Sequence, residues 1–201
     1  AYVYGDLGQV YPIARGISPL LLGFITVFWI GEELTLQMMS AIGLISLGIF
    51  SLMFSGKMSI KYTFRPIFYA LATGSFIAAY TLADGVGVRA SGNAASYVLW
   101  LMALECLPLL GITLILRKRT VFSSIHKNWK YAVPGGFLSL SAYWIVIWAM
   151  QHAPIALVSA IRESSVVIAA LMSIWVLKEE TTVRHLLSAV MVAAGVILTQ
   201  L

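Results

Sequence analysis

The sequence predicts an all-α, polytopic membrane protein, and three observations predict it. First, 60% of its 201 residues are hydrophobic and 10% are charged, against about 45–50% and about 25% in soluble domains. A water-soluble fold of this length cannot hide that much apolar surface. Second, the apolar residues gather in seven runs close to the roughly 20 residues a helix needs to cross a bilayer. Spanning strands would leave alternating signals of about 10 residues, and backbone groups in lipid must be satisfied internally, so the runs are helices. Third, nearly all the basic residues sit in the gaps between runs. The net charge of +5 therefore reads as loop charge that fixes orientation, not as a nucleic-acid surface.

The runs follow in order. Val10–Ile30 contains Pro12 and Pro19, which predict a bent helix. Gly31-Glu32-Glu33 ends it. The Glu pair is placed to complement the dipole of the next helix, and Thr35 to cap it. Met38–Phe54 follows, then the linker Ser55–Arg65 with Lys57, Lys61 and Arg65. Pro66–Val86 holds the small pair Gly74-Ser75, suited to close packing, and ends beside Asp84 and Arg89. Tyr97–Leu116 and Ala132–Met150 flank the longest linker, Arg117–Lys130, which carries five basic residues. Ile155–Leu177 and Leu186–Leu201 complete the series. Ala1–Tyr4 reads as the end of an earlier helix, so an N-terminal part of a longer protein is expected before it.

The chain repeats itself. Shifted by 147 residues, Asp6–Leu52 falls on Ala153–Thr199 without a gap, with six identities over 47 positions. Arg15 meets Arg162, Ser18 meets Ser165, Glu32-Glu33 meets Glu179-Glu180, Thr35 meets Thr182, and Gly48 meets Gly195. An arginine inside an apolar run, a Glu-Glu 17 residues on and a glycine 15 after that occur twice. Five helices separate the two starts. Five is odd, so the copies face opposite ways, the inverted-topology build common in secondary transporters. At 1.5 Å per residue, Arg15 and Arg162 each lie roughly 12 Å inside opposite faces, flanking the midplane of a core about 30 Å thick.

Ten of the thirteen Lys and Arg lie on one side, in the gaps 55–65, 117–130 and 178–184. The positive-inside rule makes that side cytoplasmic and puts the C-terminus outside. Cys106 is the single cysteine, and His126, His152 and His185 are isolated. No disulfide, metal site or cofactor is expected. No Gly-x-Ser-x-Gly and no His-Glu-x-x-His is present, which disfavours an enzyme.

The chain resembles the EamA-type transporters of the drug/metabolite transporter superfamily. Gly5-Asp6 through Tyr11-Pro12-Ile13-Ala14-Arg15, then Gly31-Glu32, carry the resemblance in the first half. Ala153-Pro154, Arg162-Glu163-Ser164-Ser165 and Lys178-Glu179 carry it in the second, with Asp84-Gly85-Val86-Gly87-Val88-Arg89 and Ser91-Gly92 between. It spans the whole chain. The resemblance implies a ten-helix carrier of two inverted five-helix halves, of which this chain holds helices four to ten, seven of them complete. Residues 1–54 would be the C-terminal part of the first half, 55–65 a connecting loop, and 66–201 the second half. It implies alternating access for a small metabolite or drug-like solute, proton-coupled export among the options, in a bacterial inner membrane. The lipid bilayer is a partner, nucleic acid is not, and a homodimer stays open. It also implies cytoplasmic termini, where the charge bias puts the C-terminus outside.

Each candidate residue has two readings. Arg15 and Arg162 bind an anionic substrate, as guanidinium geometry favours, or bond helix ends; inserting an arginine near a helix centre costs roughly 2.5–3.5 kcal/mol on translocon scales. Glu163, about nine residues into its run, takes up a coupling proton or locks two helices together; adjacent helix positions do not face each other, so Arg162 need not be its partner. Asp84 and Arg89 gate a cavity mouth or form a solvated interfacial pair. Tyr143 and Trp144 line an aromatic wall, and Trp148 joins them or an interfacial belt. The competing functions are an intramembrane lipid-modifying enzyme and a membrane assembly partner that transports nothing.

Overall fold

The computed structural model describes residues 7–52, 64–169, 172 and 183–199. Among them the regular structure is helical throughout. Four segments are long and apolar enough to cross a membrane: Tyr11–Ile30, Pro66–Ser91, Ala94–Leu116 and Asn128–His152. The protein divides into two compact units, residues 1–83 with 153–201, and residues 84–152. The stub at Ala1–Tyr4, most of the linker 55–65, and Glu179, Glu180 and Thr182 lie outside the described residues.

In the first unit, α1 (Leu7–Ile25) keeps Pro12 and Pro19 inside it. It passes into a wider π-helical turn over Thr26–Ile30. Gly31 ends that turn at φ 75°, a left-handed conformation that glycine adopts without a Cβ penalty. Its N–H, and that of Glu32 at 3.0 Å, donate to the Thr26 carbonyl. Helix α2 (Leu36–Ser51) starts at Thr35, whose Oγ1 accepts from Met38 N at 3.2 Å, the expected cap. Glu32 also serves a distant helix: its two carboxylate oxygens accept from Ile155 N at 3.1 and 3.2 Å. The reason is chemical need. Pro154 precedes that amide and has no side-chain oxygen with which to cap it, so a carboxylate 123 residues away supplies the cap and the negative charge.

Helix α3 (Phe64–Ser91) runs from the first unit into the second. Gly92 ends it at φ 67°. Asn93 Oδ1 accepts from Ser96 N at 3.0 Å and opens α4, helical from Ala94 to His152. The linker expected at Arg117–Lys130 is thus helical too, since it holds no glycine or proline to break the ladder. Yet α4 is not one rod. Tyr97 and Tyr143, 46 residues apart, both donate to Asp84, whereas a straight helix would hold them about 69 Å apart. The axis reverses between them. The two spanning segments within α4 are Ala94–Leu116 and Asn128–His152.

Helix α5 (Ile155–Glu163) is short. The sequence predicted one run to Leu177, but the helix stops after Glu163. Ser164 Oγ bonds back to the Ile161 carbonyl at 2.6 Å, as does Ser164 N at 3.1 Å; such local bonds compete with the helical ladder. Residues 165–169 are helical again. Helix α6 (Val183–Leu198) and α2 have 16 residues each, about 24 Å of rise.

Those two helices pack antiparallel, and their contact is reciprocal under the 147-residue shift. A Cβ on Gly48 would stand 2.7 Å from Val192 and 3.2 Å from the Ser188 carbonyl. A Cβ on Gly195 would stand 2.6 Å from Ile45 and 3.2 Å from the Ala41 carbonyl. Residues 48 and 195, 45 and 192, 41 and 188 are equivalent pairs. Such self-complementary contact, i to j and j to i, is what a local two-fold produces. The missing side chains let the two backbones close.

Candidate functional site

Two arginines of the first unit converge on one carboxylate, that of Glu163. Arg15 comes from the middle of α1, Arg162 and Glu163 from the last turn of α5. Arg15 Nη1 donates to both Glu163 oxygens, at 3.2 and 3.0 Å. Arg162 donates from Nε at 3.3 Å and Nη2 at 2.9 Å to Glu163 Oε1, and from Nη2 to Thr81 Oγ1 at 3.3 Å. Helix geometry alone does not require Arg162 to pair with its neighbour Glu163, yet it does so at the last turn of α5, and Arg15 joins it from another helix.

Burial ranks the members. The Glu163 side chain is 0% exposed, Arg162 17% and Arg15 30%. A carboxylate this buried needs charge and hydrogen bonds together, and the two guanidiniums supply both. The Tyr11 ring lies under the Arg15 guanidinium, 5.4 Å from its centroid, a favourable cation–π contact. Ser18 and Ser159 sit one helical turn from Arg15 and Glu163 on α1 and α5. Both hydroxyls are buried without a partner among the described residues.

The second unit has its own acid. Asp84 is 6% exposed and accepts from Tyr97 at 3.2 Å through Oδ1 and from Tyr143 at 2.5 Å through Oδ2. Gly87 permits this, because a Cβ there would lie 2.6 Å from the Tyr97 ring. Arg89 Nε donates to the Met150 carbonyl at 3.0 Å, and Gln151 Nε2 to the Gly92 carbonyl at 2.8 Å. The end of α3 is thereby tied to the end of α4. Tyr143 is half-buried against Asp84. Trp144 is 37% exposed and Trp148 54% exposed, with Trp148 against His152 at 4.9 Å between ring centroids.

Residues 64–201, well over half the chain, match the EamA-like transporter family. The chain belongs to that family. No curated protein matches it. As an EamA-like protein with apolar spanning helices it is an integral membrane protein of the drug/metabolite transporter type.

Of the residues singled out in sequence, this EamA-like chain brings Arg15, Arg162 and Glu163 together. It joins Tyr143 to Asp84, and sets Arg89 on a backbone carbonyl. Trp144, next to Tyr143, is partly exposed. Thr81, Tyr97 and the contact of Tyr11 with Arg15 escaped the sequence reading. Each of these residues is a polar side chain inside an apolar span, and that signal, applied to hydroxyls as it was to charges, finds all three.

Proposed function

We propose that this EamA-like protein is a secondary carrier that moves a small solute by alternating access between two inverted halves. The observation that carries the reading is the ionic cluster. Two repeat-related arginines meet on one buried carboxylate, midway along α1 and at the broken end of α5. Interrupted helices whose ends meet charge are how inverted-repeat carriers build sites near the midplane, and intramembrane ionisable residues are functional by default. The reciprocal α2–α6 crossing supports the inverted relation, because equivalent helices there run antiparallel. In this reading Arg15 and Arg162 contact solute, with Tyr143 and Trp144 as a second, aromatic candidate surface. Glu163 and Asp84 are the groups available to couple protons, and Arg89 holds the α3–α4 end that gates access. The carrier works in a bacterial inner membrane in this reading.

The test is flux. Protein in proteoliposomes should show saturable, counterflow-competent uptake of at least one solute from a panel of organic acids, sugars and amines. Arg162→Ala should abolish it at equal insertion. An imposed proton gradient should drive uptake if coupling is present. Absence of flux for every solute, in both directions, would sink the carrier reading.

A further inference from the structure

Resting on the carrier reading, we infer that the cluster recognises a monoanion, with a monocarboxylate as its simplest ligand. The argument begins with charge. Two guanidiniums and one carboxylate leave a formal +1 in the middle of apolar helices. A monoanion brings that to zero. A dianion leaves it negative, and a cation raises it to +2. In a low-dielectric surrounding an unbalanced charge is strongly penalised, so the count discriminates by valence.

Hydrogen-bond donors give the same answer with a direction. A guanidinium carries five N–H groups in a fixed fork. Arg15 spends only Nη1 on Glu163. Among the described residues its Nε and Nη2 meet no acceptor. Those two nitrogens form the side edge with two parallel N–H bonds, the edge a carboxylate engages bidentately. Arg162 has that same edge turned onto Glu163 Oε1 and keeps Nη1 over. Arg15 is also the most exposed member. Glu163 thus grips Arg15 from its buried end and Tyr11 stacks on its face, which presents the open edge in a fixed orientation. The acid inside the cluster orients the site without neutralising it.

The experiment compares small probes of different charge on the purified protein: lactate, succinate, choline and glucose. Thermal stabilisation in detergent reads binding, and proteoliposome flux reads transport. Lactate should bind at least tenfold more tightly than succinate or choline. Arg15→Gln takes the cluster to zero charge and should weaken lactate at least tenfold, while Arg15→Lys, which keeps the charge and loses the two-donor edge, should fall between. Glu163→Gln takes the cluster to +2 and should turn the preference toward succinate. A reversal of valence preference cannot come from a merely loosened fold. Should Glu163→Gln not fold, the Arg15 pair decides alone. Lactate binding unchanged in a folded Arg15→Gln protein, or choline or glucose preferred over lactate, overturns the inference while the carrier reading stands. Flux of none of the four, with none on the wider panel, removes the carrier reading itself.

Discussion

The α2–α6 crossing and the α1–α5 contact are built from the same repeat, and they treat it in opposite ways. At the crossing the glycine approaches are mirrored: Gly48 on Val192 and Ser188, Gly195 on Ile45 and Ala41. At the ionic cluster the arginines are equivalent but the acid is not. The counterpart of Glu163 is Gly16, where the Phe50 ring stands 3.2 Å from the place a Cβ would take. A side chain there would crowd the Phe50 ring, and both arginines bond the single acid at Glu163. The helix caps show the same split. Glu32 reaches across to α5 while Thr35 serves its own helix. The glycine approaches between α2 and α6 occur in equivalent pairs, whereas the buried carboxylate of the ionic cluster is placed once.

The comparison can be broken hardest at its asymmetric end. Glu163→Ala leaves two guanidiniums without their buried anion and should cost about 3–5 kcal/mol, read as a large fall of the melting midpoint in detergent. A midpoint within a degree of the parent would show that the cluster contributes little to holding α1 against α5. The symmetric end is next. Gly48→Val and Gly195→Val should each cost about 1–3 kcal/mol by overpacking, and the two losses should agree closely, because each new side chain meets equivalent neighbours. One tolerated and one severe would refute the reciprocity.

Smaller changes sharpen the picture. Glu32→Gln should cost about 1 kcal/mol by weakening the cap and removing the charge at the start of α5. Hydrogen exchange should then rise at Ile155–Val158 and stay unchanged at Leu36–Met39, where Thr35 is the cap. The smallest effect is expected at the unpartnered hydroxyls. Ser18→Ala and Ser159→Ala remove a buried polar atom that bonds nothing among the described residues. They should be neutral or raise stability by up to about 1 kcal/mol; a clear loss would mean that the hydroxyls have a partner in the membrane.

Much of this was legible in the chain. Apolar runs of bilayer length gave the spans at Val10–Ile30, Pro66–Val86, Tyr97–Leu116 and Ala132–Met150, since hydrophobic length is a property of sequence alone. Arg15, Glu163 and Asp84 stood out because charge inside an apolar run is costly and therefore rare. What the runs concealed were breaks and partners. Ser164 ends a helix through a bond of its own side chain, which composition does not register. Tyr97 and Tyr143 share one carboxylate across a reversal that helical hydrogen bonding does not interrupt. Glu32 caps a helix 123 residues distant, a choice made by where Pro154 leaves an amide unserved.

By itself the sequence determined the solvent this protein folds in, the number and sign of its intramembrane charges, and the register of its two copies. These follow from residue identity and spacing. The tertiary structure decided which acid answers which arginine, and which guanidinium edge stays open. Those outcomes depend on helices closing to within a hydrogen bond, and that distance is set by packing at positions such as Gly48 and Gly195, far along the chain from the charges they bring together.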